Sequence, residues 1–191
     1  MVQSMLCIPL GYFIGSINGA SIIAWLIRRI DMRKEPDGRA SAAEVYQKLG
    51  LVPFLLVVLL DSMLSMSAVL LSNYFSQGNL NIMMLTGLAA LAGHNWSIFM
   101  KFKGGQGATS ILGILIALIT WQLFVGLLVG AISMFFTRKP RLSTIICLSA
   151  ISITLFFHKG LGILPAYPLL LLSVMLLKRF QIKRIAEAAR E

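Results

Sequence analysis

The sequence predicts an all-α fold: a polytopic membrane helix bundle of seven transmembrane helices, amino terminus outside and carboxyl terminus cytoplasmic. Three observations carry this. Of the 191 residues, 58% are hydrophobic and 13% charged, with mean hydropathy +0.84. A soluble domain carries roughly 45–50% apolar and about 25% charged residues. Apolar runs approach the ~20 residues needed to cross a hydrocarbon core. Finally, all but one of the Lys and Arg residues fall in alternate connections. The composition excludes a soluble enzyme, a disulfide scaffold and a disordered chain. In a soluble protein a net charge of +10 would suggest nucleic acid. Here it reports Lys and Arg held in cytoplasmic loops beside anionic membrane lipid, and no nucleic-acid partner is expected. Cys7 and Cys147 sit inside apolar runs, so no disulfide framework or cysteine metal site is indicated.

Apolar runs lie at 4–27, 51–75, 80–100, 108–137, 142–157 and 163–177. No basic residue precedes the first run, which is too long for a signal peptide and is kept as a span. Residues 28–50 form a polar cytoplasmic loop, in which Pro36-Asp37-Gly38 reads as a turn. Asp37 or Ser41 is positioned to cap a short interfacial helix over 40–49, with a Glu44–Lys48 pair at i,i+4. The second run carries Asp61, an ionisable group at membrane depth and hence a functional-site hypothesis, with partners expected among the basic residues of the cytoplasmic loops. Tyr74 and Trp96, near span ends, fit an aromatic belt. The fourth run is long for one span and tight for two. Broken near Thr120-Trp121-Gln122, it gives seven spans and puts 16 of 17 Lys and Arg on one face, with Lys159 opposite. Crossing once, it gives a 9 to 8 split and no bias. The positive-inside rule selects the broken form. Gly15/Gly19 and Gly126/Gly130 have the spacing of close helix packing. No internal repeat is evident, and 1–191 is taken as a single integral membrane domain.

The most informative connection is the glycine-rich cytoplasmic loop 101–107, within Gly93-His94-Asn95-Trp96-Ser97-Ile98-Phe99-Met100-Lys101-Phe102-Lys103-Gly104-Gly105-Gln106-Gly107. Its glycines let the backbone turn sharply and present successive N–H groups just before a helix that starts near Ala108, a nest for an anion. Lys101 and Lys103 add cations. A tight turn flanked by positive-inside lysines has the same composition. His94 is the histidine on the basic face. Neither His94 nor His158 is followed by Asp after four residues (positions 99 and 163 are Phe and Ile), which rejects the soluble-type glycerolipid acyltransferases.

Gly11-Tyr12-Phe13-Ile14-Gly15-Ser16-Ile17, Asp31-Met32-Arg33 and the His94-to-Gly107 segment resemble, in order and spacing, the bacterial acyl-phosphate:glycerol-3-phosphate acyltransferase family (PlsY type). His94, Trp96, Phe99, Phe102, Lys103, Gly104, Gly105, Gly107 and Gly113 match its central motif, Gly38, Ala42 and Asp61 match elsewhere, and Lys178 to Arg184 echoes its third motif. The resemblance implies acyl transfer from acyl phosphate to the 1-hydroxyl of glycerol 3-phosphate or a related anionic acceptor, in phospholipid biosynthesis at the bacterial cytoplasmic (inner) membrane. It implies no metal and no cofactor, a cytoplasm-facing groove for two anionic substrates, and an acyl chain lying between helices. His94 and Lys103 are then the catalytic positions. Gly104, Gly105, Gln106, Gly107 and Lys101 bind phosphate, and Asp37, Gly38, Arg39, Asp61 and Gln181 contact substrate.

The chain departs from the family pattern in its first motif. Asp37, Gly38 and Arg39, then Ser41, Ala42, Ala43 and Glu44, stand where the family has Ser-Gly-Asn, one residue, then Gly-Ala-Thr-Asn. Gln47 replaces an arginine, while Gln106 and Leu64 replace lysines; Gln181 replaces an asparagine. At 1.5–3 kcal/mol per charge-assisted hydrogen bond, three lost cations are worth about 5–9 kcal/mol unless others compensate. Arg39, Lys101, Lys48 and Arg33 are the candidates. Two function classes follow: an acyltransferase with an altered head-group pocket, and a non-catalytic lipid- or partner-binding membrane protein on the same scaffold. A small transporter would need two matching halves with broken helices, and none is found.

Overall fold

The computed structural model describes residues 2–34, 40–119 and 121–188, all of them helix, turn or irregular connection. Nine α-helices run through the described residues. They are α1 (Val2–Ser16), α2 (Gly19–Arg28), α3 (Ala42–Leu49), α4 (Leu51–Phe75), α5 (Leu80–Asn95), α6 (Ala108–Leu118), α7 (Trp121–Thr137), α8 (Pro140–Lys159) and α9 (Ile163–Ala188). Five described stretches are long and apolar enough to cross a membrane: Ser4–Arg28, Leu51–Phe75, Leu80–Met100, Pro140–Lys159 and Ile163–Ile185. The expected break of the fourth run is present, with Ile119 extended (φ −139°) between α6 and α7. The 11 residues of α6 reach only about 16 Å, roughly half a hydrocarbon core.

Two boundaries differ from the sequence expectation. The first apolar run is broken: Ile17 and Asn18 leave the helix, and the Asn18 side chain caps α2 by accepting the Ser21 N–H at 2.8 Å. A hydropathy average passes over two such residues, whereas the backbone responds to the cap. The last run was taken to end at 177, where charges begin, but α9 continues to Ala188 because leaving the hydrocarbon does not end a helix. A short helix stands where one was expected, as α3, with Ser41 at its N-cap position but without a side-chain cap hydrogen bond, and Gly50 (φ +89°) turns the chain directly into α4.

Close packing puts α1 against α5 and α4 against α1, α5 and α6, while α7, α8 and α9 form a second group. Gly15 lies on the Ala90 backbone and Gly113 on the Ser62 carbonyl, both too close for a Cβ. The GxxxG partners behave as expected. Gly126 abuts Ile151 and Gly130 abuts Cys147, drawing α7 onto α8. A core of Leu91, Ile114, Leu115, Ile151, Leu171 and Met175 joins the two groups, and Phe124, Phe135, Phe136 and Leu128 of α7 point outward.

Candidate functional site

Asp61 sits mid-way along α4 with 2% of its surface exposed. Its expected basic partners are not what satisfies it. Asp61 Oδ1 accepts the N–H of Gly19, the first residue of α2, at 2.9 Å. Oδ2 accepts the hydroxyl of Thr109, in the first turn of α6, at 2.9 Å. Two helix amino-termini thus converge on one carboxylate, and their partial positive charges stabilise it where water does not reach. Ser62 donates to the Thr109 carbonyl at 3.0 Å, and the Ser65 and Ser110 hydroxyls are hydrogen-bonded one helical turn further on. His94 is 3% exposed, and its Nδ1 lies 3.9 Å from Asp61 Oδ1, in ion-pair range but beyond a direct hydrogen bond.

The glycine turn folds over the end of α5. The Gly105 N–H donates to the His94 carbonyl at 3.0 Å. A Cβ on Gly104 would strike that carbonyl, and one on Gly105 would strike His94 Nε2. Only glycine lets the strand pass so near the imidazole. Gly107 (φ +85°) then leads into α6, with Leu91 Cδ1 2.6 Å and Asn95 Oδ1 2.7 Å from where its Cβ would stand. One expected anion donor, the Gly105 amide, is therefore already committed to holding the turn. The N–H groups of Gln106, Gly107, Ala108 and Thr109 have no acceptor among the described residues. Asn95, fully buried beneath Gly107, has neither side-chain N nor O partnered. Lys101 and Phe102 both hold positive φ, 51° and 62°, an uncommon pair for residues with side chains. Lys101 and Lys103 are exposed, and Gln106 is half-buried.

The third-motif end of α9 reaches the same region. Trp96 Nε1 donates to Gln181 Oε1 at 2.9 Å, so Trp96 is a tether rather than a simple belt residue. Tyr12 donates to the Trp96 carbonyl at 2.8 Å and Ser97 to the Ser16 carbonyl at 2.5 Å. Lys178, 4% exposed, donates to the Phe102 carbonyl at 3.3 Å. Asp37, Gly38 and Arg39 lie outside the described residues. The chain just after them is anchored, since Asn18 Nδ2 donates to the carbonyl of the buried Ala40 at 3.0 Å. On the other flank Asp31 pairs with Arg33 through Nε at 3.0 Å and holds that guanidinium's pKa above its ordinary value.

The structure therefore brings together His94, Asp61 and the Gly104-to-Gly107 turn, with Gln181 joined through Trp96. Among the described residues it gives the Lys101 and Lys103 side chains no hydrogen bond or ion pair. Sequence reasoning did not single out Asn18, Asn95 or Thr109, and it named Lys178 only as the start of the third-motif echo. Asn18 carried a signal, an N-cap residue ahead of Gly-Ala-Ser. Thr109 and Asn95 carried none, since their importance is set by residues distant in sequence.

An apolar groove of about 400 Å³ opens between α6, α7 and α8. Its lining runs from Ala108, the residue after the glycine turn, Met134 and Pro140 to Leu115, Leu123 and Ile151.

The family model described as glycerol-3-phosphate acyltransferase matches residues 5–188. A glycerol-3-phosphate acyltransferase of Shouchella clausii is 32% identical over 186 residues, covering 94% of this chain and 90% of that protein. Glycerol-3-phosphate acyltransferase 2 of Bacillus anthracis is 30% identical over 183 residues, covering 96% and 95%. The fold matches that of the crystal structure of PlsY (YgiH), an integral membrane glycerol 3-phosphate acyltransferase, in its glycerol 3-phosphate form. The TM-score is 0.82 at 24% identity, over 97% of this chain and 92% of that one. End-to-end agreement of motif, family model and fold places this integral membrane protein in the glycerol-3-phosphate acyltransferase family.

Proposed function

We propose that the protein transfers an acyl group from acyl phosphate to the 1-hydroxyl of glycerol 3-phosphate at the bacterial inner membrane. The observation that carries the reading is one buried assembly. His94 lies between the Asp61 carboxylate and a glycine turn whose next four N–H groups, Gln106 to Thr109, have no acceptor among the described residues. Those amides at the start of α6 suit a phosphoryl group, and Lys103 beside them supplies positive charge. The acyl tail lies in the groove that begins at Ala108, so head and tail of one donor are served by adjacent residues.

Acyl phosphate is already activated, and positioning supplies much of the catalysis. The acceptor oxygen bonds to the acyl carbon, the bond from that carbon to the phosphate oxygen breaks, and phosphate leaves with the electron pair. The acceptor proton passes to His94. Asp61 acts as a positioning residue: both its oxygens are engaged by α2 and α6, and its charge orients the imidazole. Lys101, Arg39 and Gln181 are the further head-group contacts of this reading, together with Asp37 and Gly38. The reading includes seven spans with the amino terminus outside, which counts the short α6 and α7 as crossing and keeps 28–50, 101–107 and the end of α9 on the cytoplasmic face. It is supported by the charge distribution and by the relatives' named activity. The non-catalytic alternative is not favoured by relatives named as transferases along nearly the whole chain.

The test is purified protein in detergent with palmitoyl phosphate and labelled glycerol 3-phosphate. Lysophosphatidate and inorganic phosphate should appear in equal amounts. Release of neither, while a related transferase works in the same assay, contradicts the reading.

A further inference from the structure

The end of α9 holds a charge that the proposed reaction has not used. Lys178 is 4% exposed, and its ammonium donates to one backbone carbonyl, that of Phe102, at 3.3 Å. The Trp96 ring lies beneath it, 5.5 Å from centroid to Nζ. Among the described residues no carboxylate is within ion-pair distance of this nitrogen, although an ammonium has three donors and a buried cation without an anion is costly. A lysine side chain is long and flexible and ordinarily carries its charge out to water. Here packing against Trp96, itself fixed at both ends by Tyr12 and Gln181, keeps it in.

Its acceptor is informative. Phe102 follows Lys101 in a pair of residues at positive φ and immediately precedes Lys103 and the glycine turn. The buried ammonium therefore sits against the backbone that delivers the proposed phosphate donors.

We propose that Lys178 is an anion-binding residue of the site, contributed by α9, and that the phosphate of a bound substrate is the counter-ion its ammonium lacks among the described residues. This rests on the proposed transferase reading for the identity of the anion. The cation and its place are independent of it. When phosphate binds, one N–H of Lys178 keeps the Phe102 carbonyl and the other two turn to the phosphoryl oxygens.

The experiment compares Lys178→Met, Lys178→Arg and the unaltered protein, each full-length in detergent. Titration with inorganic phosphate and with glycerol 3-phosphate is followed by the ligand-induced rise in Tm, which needs no turnover. Lys178→Met should weaken both ligands about tenfold or more, the value of one charge-assisted hydrogen bond, and Lys178→Arg should recover most of that loss. Without ligand the Met variant should melt no more than a few degrees below the unaltered protein, because a buried unpaired charge has been removed along with one hydrogen bond. Phosphate affinity unchanged in Lys178→Met overturns the proposal. So does a large ligand-free loss of Tm with intact affinity, which marks a purely structural cation. If the unaltered protein binds phosphate through Lys178 but transfers no acyl group, the transferase reading fails and this one stands.

Discussion

The Thr109 hydroxyl and the Asp61 carboxylate are joined by a 2.9 Å hydrogen bond, which ties the first turn of α6 to the middle of α4. On its other oxygen the same carboxylate holds Gly19, the start of α2. One side chain thereby sets the position of two helix amino-termini and of the histidine beside them.

Asp61→Leu leaves the Gly19 N–H and the Thr109 hydroxyl buried without an acceptor, at about 1–3 kcal/mol each. Thr109→Val removes only one of the two bonds. Thermal unfolding in detergent should give a clearly larger fall in Tm for Asp61→Leu. The double variant should fall short of the sum, because the two residues share a bond. Strict additivity would mean that the bond contributes nothing.

Gly105→Ala places a methyl on His94 Nε2. Displacing the imidazole should lower kcat at least tenfold while the protein still folds. Gly107→Ala combines positive φ, about 1–2 kcal/mol for a residue with a Cβ, with contacts on Leu91 and Asn95. It should lower both Tm and activity. A Gly105→Ala enzyme with unaltered kcat would remove His94 from the chemistry.

Gln106→Lys adds a cation to a half-buried position in the turn. A phosphate contact of this kind is worth about 1.5–3 kcal/mol, so kcat/KM for acyl phosphate should rise about tenfold or more. Gln106→Glu should lower it. Steady-state kinetics on both variants checks the sign, and equal behaviour would place residue 106 away from the anion.

Ala131 lines the apolar groove between α6, α7 and α8. Ala131→Trp should obstruct it and slow transfer from palmitoyl phosphate far more than from octanoyl phosphate. Leu123→Ala, which removes bulk from the far part of the lining, should shift preference toward the longer donor. Uniform effects on both donors would mean that the tail lies elsewhere.

Much of this arrangement was legible in the sequence, for identifiable reasons. Helix α4 matches its apolar run end to end because Gly50 and the Ser76-Gln77-Gly78 segment punctuate it. The division of the fourth run came from a global property, the sidedness of Lys and Arg, where local hydropathy was silent. The break at Ile17–Asn18 is hidden from hydropathy, which averages over two residues, although Asn18 ahead of Gly-Ala-Ser is a local capping signal. Asp61 itself was marked by its cost at membrane depth. Its partners proved to be a backbone amide and a hydroxyl at helix starts, which no charge pattern reveals. The glycine turn reads in sequence as a row of bare amides, yet the Gly105 N–H is engaged by the His94 carbonyl, and among the described residues those of Gly104 and of Gln106 to Thr109 have no acceptor. Lys178 enters the sequence reading only as the start of the third-motif echo, and its burial against Trp96 is set by packing that the sequence does not show.

The central claim is that a phosphoryl group rests on the amides opening α6. Solid-state NMR on protein with a bound non-hydrolysable acyl phosphonate in place of acyl phosphate, labelled with nitrogen-15 in Gly and Ala, measures it directly through the phosphorus-to-nitrogen distances. The account predicts dipolar contact at about 3–4 Å to Gly107 or Ala108, the range of an N–H···O–P hydrogen bond. Bound ligand whose phosphorus shows no contact with either nitrogen would contradict it.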